Sequence, residues 1–413
     1  MNDSRDCDVL ILGASFAGIE LYHRLRRGRA GRRLAITIVD RQAEHGYIPL
    51  VQERLTGRLP LDASALPTRW CVQQDPNAHY VIDEVVGFDP AAREVSLASG
   101  ARLRGRFVVV ALGSLLAPPP GMVGHAHLLG YKFAHEFVAA QRKLWDRLER
   151  PGAPHVVVIG GGISGVELAG DLAKLSAKSP PGQGLTVTLV DGGDRLLRGL
   201  TDRAGRMAAR QLERQGVRLR LRTRVLEVGP DTMRLHTTDG EPDALRHDGA
   251  FWAGGVRAAP VLSQLGLPTI RGYLAVAPTL QCGGHPQVFA CGDAARVVDE
   301  GGEWPTMQRA IECIWEAGVV ARNILALAGA GDRAPALRRL RLRRDFPHGV
   351  SIGAASMIVY GWLAVELGFF GVWFRRFLMR MYFRRYGAPG GTGPARRPAL
   401  ADAEGAGVAA PGA

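Results

Sequence analysis

The 413-residue chain has only five cysteines, Cys7, Cys71, Cys282, Cys291 and Cys313, and no two of them form a C-x-x-C pair. That scatter excludes a secreted disulfide framework and points to a reducing compartment. Acidic residues are in deficit as well. The 39 Asp and Glu stand against 52 Lys and Arg, a net charge of +13 that favours an anionic partner: nucleic acid, an acidic membrane surface or a phosphorylated ligand. The opening "MNDSRDCDVLILG" puts acidic residues ahead of a short apolar run and has no cleavage site, so no signal peptide is expected. His45, His125, His127 and His135 have no metal-ligand spacing, and no metal is expected. Apolar residues are not lacking: at 46%, with 22% charged, they exclude a disordered chain and allow two or three domains.

Glycine turns are present twice. "CDVLILGASFAGIELYHRLRRG" reads as a buried parallel strand, a turn with Gly13, Ser15 and Gly18, and a helix ending near Gly28. Such a turn aims backbone N–H groups and the positive end of a helix dipole at a pyrophosphate. The next strand, "LAITIVD", ends in Asp40, placed to accept hydrogen bonds from a ribose diol. The design recurs in "APHVVVIGGGISGVELAGDLAKL", with Gly160, Gly162 and Gly165, followed by "LTVTLVD" ending in Asp191. A carboxylate there suits ribose hydroxyls and repels a 2′-phosphate, favouring NADH over NADPH, although Arg195 and Arg198 stand close by. Far downstream, "HPQVFACGDAARV" delivers Gly292 and Asp293 into a turn from which an aspartate can bind a ribityl chain.

The order of "GASFAG", "FVVVALGS", "GGGISGVE", "FWAGGVR" and "VFACGDAA" resembles the flavoproteins with two dinucleotide-binding domains. The disulfide reductases of that superfamily carry a redox cysteine pair where this chain has "HGYIPLVQERLTG", and sulfide–quinone reductases need a mid-chain cysteine where none lies between Cys71 and Cys282. "HGYIPLVQERLTG" is instead similar to F-x-P-L-L-Y-Q-V-A-T-G, "FWAGGVRAAP" to W-A-A-G-V-x-A-S-P, and "PTMQRAIE" to P-T-A-Q-x-A-x-Q, stretches of the type II NADH dehydrogenases, single-chain NADH:quinone oxidoreductases of the pyridine nucleotide-disulfide oxidoreductase superfamily. The resemblance spans roughly residues 8–385. It implies hydride transfer from NADH to FAD and then two-electron reduction of a membrane quinone, without proton pumping. It implies FAD binding by Gly13, Ser15, Phe16, Ala17, Gly18, Asp40, Arg41, Pro49, Val85, Gly113, Gly292, Asp293 and Met307, and NADH binding by Gly160, Gly162, Ile163, Gly165, Asp191 and Gly255. Glu167 is expected near the nicotinamide, and Gln308 and Glu312 on the flavin-facing helix that receives the quinone. Glu312 stands where the family has glutamine; it accepts hydrogen bonds and donates one only when protonated. The alternatives are an NAD(P)H flavoenzyme with another acceptor, like ferredoxin reductases or apoptosis-inducing flavoproteins, or a sulfide:quinone reductase-like enzyme.

The implied fold is α/β: two Rossmann-like domains, with an NADH-binding domain (119–266) inserted between two parts of an FAD-binding domain (8–118 and 267–331). A C-terminal helical segment (332–386) and a disordered tail (387–413) follow. A helix is expected over 361–386, with Phe370, Trp373, Phe374, Phe377 and Met381 on one face and arginines 375, 376, 380, 384 and 385 flanking it. Aromatics beside arginines suit a peripheral helix on an anionic bilayer, here the cytoplasmic membrane face. The uncharged run 349–365 is just long enough to hint at a spanning helix, but its glycines and the following Glu366 stand against one; a homodimer is the other use of the aromatic face, and nucleic acid is not expected as a partner.

Overall fold

A computed structural model describes residues 5–116, 118, 121–148, 152–176, 184–238, 240, 242–306, 308–330, 335–341 and 346–387. Strands β1 (Arg5–Leu12), β2 (Ile36–Asp40), β3 (Ala78–Ile82) and β4 (Arg102–Val110) share one sheet with a strand from much later in the chain, β5 (His285–Ala290). The parallel core of that sheet runs β5–β4–β1–β2–β3. Val9 to Leu12 and Val108 to Val110 are wholly buried because helices cover the faces, which explains the unbroken apolar runs. Between these two halves lies a second parallel sheet. Its strands β6 (His155–Ile159), β7 (Thr186–Val190), β8 (Arg218–Arg220) and β9 (Gly249–Trp252) run in the order β8–β7–β6–β9. The sheets repeat each other at their first strands: Leu12 faces Val39 and Val110, and Ile159 faces Val190 and Trp252.

Helix α1 (Phe16–Arg26) follows β1; α2 (Val51–Leu55) and α3 (Ala134–Leu148) come later in the chain, and α4 (Ile163–Ser176) follows β6. Helix α5 (Ala310–Gly329) packs against α1.

The C-terminal segment departs from expectation. The run 349–365 is not a helix but an antiparallel sheet of β10 (His348–Ile352), β11 (Ala355–Tyr360) and β12 (Leu363–Glu366). Its β-branched residues suit the pleat, and Gly353 and Gly361, with φ of +59° and +54°, sit in the two turns. Val350, Ile352, Met357, Val359 and Ala364 are buried in the same core as α4. A side chain at Gly170 on α4 would come within 2.6 Å of the Gly353 backbone nitrogen, so glycine is what allows this contact. The expected helix starts at Gly368 rather than 361, since 363–366 are engaged in strand pairing; it is α6 (Gly368–Tyr386). Phe370, Trp373, Phe374, Phe377 and Met381 are all exposed on it, as are Phe369 (72%) at its start and Trp362 (80% exposed) in the β11–β12 turn, a set of large apolar side chains facing solvent. Three of the five flanking arginines turn inward instead. Arg375 pairs with Glu167, Arg376 with Glu53 and Arg385 with Glu20, fastening α6 to the body. No helix among the described residues is long and apolar enough to cross a membrane. Met307 and 388–413, nearly all of the expected tail, lie outside the described residues.

Candidate functional site

The two turns are built alike. Gly13 N donates to Val39 O (2.7 Å) and Gly160 N to Val190 O (2.8 Å). Ala14 N donates to Asp40 Oδ2 (2.6 Å) and Gly161 N to Asp191 Oδ2 (2.7 Å), while Gln42 N and Gly193 N reach the other oxygens of the same carboxylates. The acid closing the second strand therefore braces the turn that closes the first. Gly13 and Gly160 have φ of +104° and +119°, and a side chain on either would strike the strand beyond, at Ala111 or Ala253. Gly18 and Gly165 each press within 1.8 Å, by their missing Cβ, of the carbonyl at the turn's start. Gly162 faces open space, whereas Ser15 spends its hydroxyl on His45 Nδ1 at 3.2 Å.

A cavity of about 1190 Å³ runs from the first turn to the C-terminal segment. Of the residues expected at the flavin, Gly13, Ser15, Phe16, Ala17, Asp40, Arg41, Pro49, Val85, Gly113, Gly292 and Asp293 line it, as does Gln308; Gly18 lies beneath the turn. Gly160, Gly162, Gly165, Asp191 and Gly255 do not line it, but Ile163 and Glu167, on the helix their turn opens, do.

Asp293 accepts from the Ser114 hydroxyl (2.8 Å), and Lys132 donates to the Ser114 carbonyl (2.5 Å) beside it. Burial raises the Asp293 carboxyl, opposed by the Lys132 ammonium and the Ser114 hydroxyl. Glu167 is buried, held by Arg375 Nη1 (2.5 Å) and Ser351 N (3.0 Å). Burial raises its carboxyl too, with Arg375 pulling the other way. Gln308 has φ of +51° and a buried Nε2 without a hydrogen-bond partner, in the wall of the cavity.

Glu312 is placed otherwise than expected. It is not among the residues lining the cavity; it closes a capping box at the N-terminus of α5, accepting from Arg309 N (3.1 Å) and pairing with the Arg309 guanidinium (3.2 Å). An acid three residues into a helix is drawn to the unsatisfied amides there. One turn on, Glu316 accepts from Gly292 N (2.6 Å) in complete burial that pushes its carboxyl up to about 8. Cys313 lines the cavity, but burial beside Asp293 and Glu316 raises its thiol well above the usual range, so it is no thiolate nucleophile. Sequence reading missed Lys132, Glu316 and Arg375. Lys132 and Arg375 have no motif around them, and Glu316, though inside the "PTMQRAIECIWEAGVV" stretch, is not at a motif position singled out there; helix spacing does not tell an inward arginine from an outward one.

Compared with known proteins, the profile of the family described as pyridine nucleotide-disulphide oxidoreductase matches residues 7–317. The type II NADH:quinone oxidoreductase of Haemophilus influenzae is 28% identical over 367 residues, 78% of this chain and 80% of that protein. The type II NADH:quinone oxidoreductase NdhA of Mycobacterium tuberculosis is 27% identical over 316 residues, 69% of this chain but 65% of that protein's length. The solved structure of NDH2 from Plasmodium falciparum in complex with NADH superposes with a TM-score of 0.79, covering 92% of this chain and 97% of that one at 14% identity, a likeness of fold.

Proposed function

The chain belongs to the pyridine nucleotide-disulphide oxidoreductase family, and on that premise we propose that it is an FAD-dependent NADH:quinone oxidoreductase, a flavoprotein bound peripherally at a membrane surface. One observation carries the reading. The cavity that has Gly13, Asp40 and Asp293 in its wall is also lined by Leu367, Phe374 and Leu378, which are solvent-exposed, so it opens onto the apolar face of α6. A dinucleotide and a lipid-soluble acceptor can thus meet in one space.

The residues fit FAD. The bare backbone at Gly13, the open N-terminus of α1 and the Asp40 carboxylate suit its adenosine and pyrophosphate, and Asp293 its ribityl chain. Bound FAD supplies the redox chemistry, taking two electrons from NADH and giving them to quinone. Residues 8–118 and 267–331 bind FAD, and 119–266 bind NADH. In the second unit Asp191 takes the ribose hydroxyls, and Glu167, its carboxylate fixed by Arg375 and Ser351 N, positions the nicotinamide end. Gln308 orients the quinone, and Glu312 leaves that role for a helix cap. The exposed rings of Trp362, Phe369, Phe370 and Trp373 enter the headgroup region of the cytoplasmic leaflet, the side to which free cysteines belong.

The test is the purified protein's flavin and acceptor range. FAD released by acid, bleaching by NADH, and faster turnover with quinone than with ferredoxin or oxygen are the expected results. A protein without flavin, or one preferring ferredoxin, overturns the reading. The apolar face serving a homodimer is seen as a concentration-dependent mass without vesicle binding.

A further inference from the structure

Among the described residues, five lysine and arginine side chains line the cavity, and four have a nearby counterpart. Arg41 faces Glu84, Arg309 faces Glu312, Arg375 faces Glu167, and Lys132 donates to Ser114 O beside Asp293. Arg54, on α2, is the exception. It is only 3% exposed, its Nε is buried without a partner, and the Glu44 carboxylate acts on it only from beyond ion-pair distance. Its one close ring contact is the face of Phe137, 4.8 Å from the ring centre. An unpaired buried charge is costly, so its place in a cavity wall asks for an anion.

Its position says which anion. The Arg54 guanidinium lies against Gly46, where any side chain would come within 2.0 Å of Nη1. Gly46 adjoins His45, whose Nδ1 is 3.2 Å from the Ser15 hydroxyl at the N-cap of α1. The cation therefore sits on the same side of the cavity as the amide-lined helix end. Adenine, ribose, ribityl chain and oxidised flavin ring are neutral; the pyrophosphate alone carries charge.

Resting on the FAD reading, we propose that Arg54 is the buried countercharge for the FAD pyrophosphate, acting with the first glycine turn. His45 separates Arg54 from Ser15 as a neutral ring, its imidazolium disfavoured by complete burial and by the Arg54 charge. A protonated His45 would compete for the same anion.

The test is FAD release from holoenzyme diluted into flavin-free buffer, followed by the rise of flavin fluorescence. Arg54→Met is expected to release FAD at least about tenfold faster than wild type, and Arg54→Lys within about threefold, since a phosphate accepts a lysine as a point charge. Equal release from wild type and Arg54→Met overturns the proposal. So does equally fast loss from both variants, which makes the Phe137 stack the important contact. FAD retained with a raised KM for NADH moves the cation to the other nucleotide. A wild type purified without flavin fails the FAD reading itself, before any variant is compared.

Discussion

Replacing Arg375 by methionine keeps most of the side chain's length and removes its charge. Glu167 then remains buried with only the Ser351 amide, and the Pro49 carbonyl loses its guanidinium donor. The Glu167 and Arg375 side chains are 7% and 15% exposed, so water screens the loss poorly. Removing one partner of a buried pair costs about 3–5 kcal/mol. The cost must depend on pH. Burial already raises the Glu167 carboxyl above its ordinary 4.5, and Arg375 opposes that rise. Without Arg375 the folded value climbs further. Below the unfolded value the carboxyl is protonated in both states and the charge penalty vanishes. As pH rises from there through the new folded value, the unfolded chain gives up its proton first and the variant loses stability. The deficit should therefore be about 1–2 kcal/mol near pH 4, from lost hydrogen bonds, and about 3–5 near pH 8. Urea unfolding of the holoprotein at both pH values measures it. The same deficit at both, or less than about 1 kcal/mol near pH 8, refutes the reasoning. Adding Glu167→Gln to Arg375→Met should recover part of the loss at pH 8, since no charge is then stranded.

Asp191→Ala should narrow the preference for NADH over NADPH, measured as the ratio of kcat/KM values, because Arg198, 3.4 Å from that carboxylate, becomes available to a 2′-phosphate; a wild type that prefers NADPH contradicts the assignment. Gln308→Ala should slow reoxidation of reduced flavin by quinone about tenfold and leave reduction by NADH nearly unchanged, as rapid mixing can resolve. Glu312→Ala should instead lower stability by about 1 kcal/mol through the lost cap, with normal quinone reoxidation; a selective quinone defect would return Glu312 to the site. Serine at Trp362, Phe369 and Trp373 together should abolish sedimentation with anionic vesicles while sparing turnover with a water-soluble acceptor, and unchanged sedimentation would exclude this face.

The parallel sheets and their glycine turns were legible because a turn that admits no Cβ, after a buried apolar strand and before a helix, leaves a fixed spacing in sequence. Gly13 and Gly160, Asp40 and Asp191 occupy equivalent places for that reason. The expectation of a helical segment over 332–386 fails at 348–366 because an uncharged run of β-branched residues and glycine carries no period that separates strand from helix; the turns at Gly353 and Gly361 decide it, and they are tertiary facts. The arginines of α6 share one helix with exposed aromatics, and only the positions of Glu20, Glu53 and Glu167 on distant elements show which of them turn inward. Glu312 matched a motif position, yet its local capping geometry decides where its carboxylate goes. Lys132, Glu316 and Arg54 were illegible because burial gives them their chemistry, and burial at a single position leaves no pattern.

The central claim is that one cavity serves NADH-fed FAD at one end and a lipid-soluble quinone at the other. Its most direct test is rapid mixing of the purified flavoprotein with NADH, then with a long-tailed quinone in anionic vesicles, following the flavin absorbance. The account predicts rapid bleaching by NADH and return of the oxidised spectrum only when quinone is present. Flavin that NADH does not bleach, or reduced flavin that vesicle-borne quinone leaves reduced while another acceptor restores it, contradicts the account.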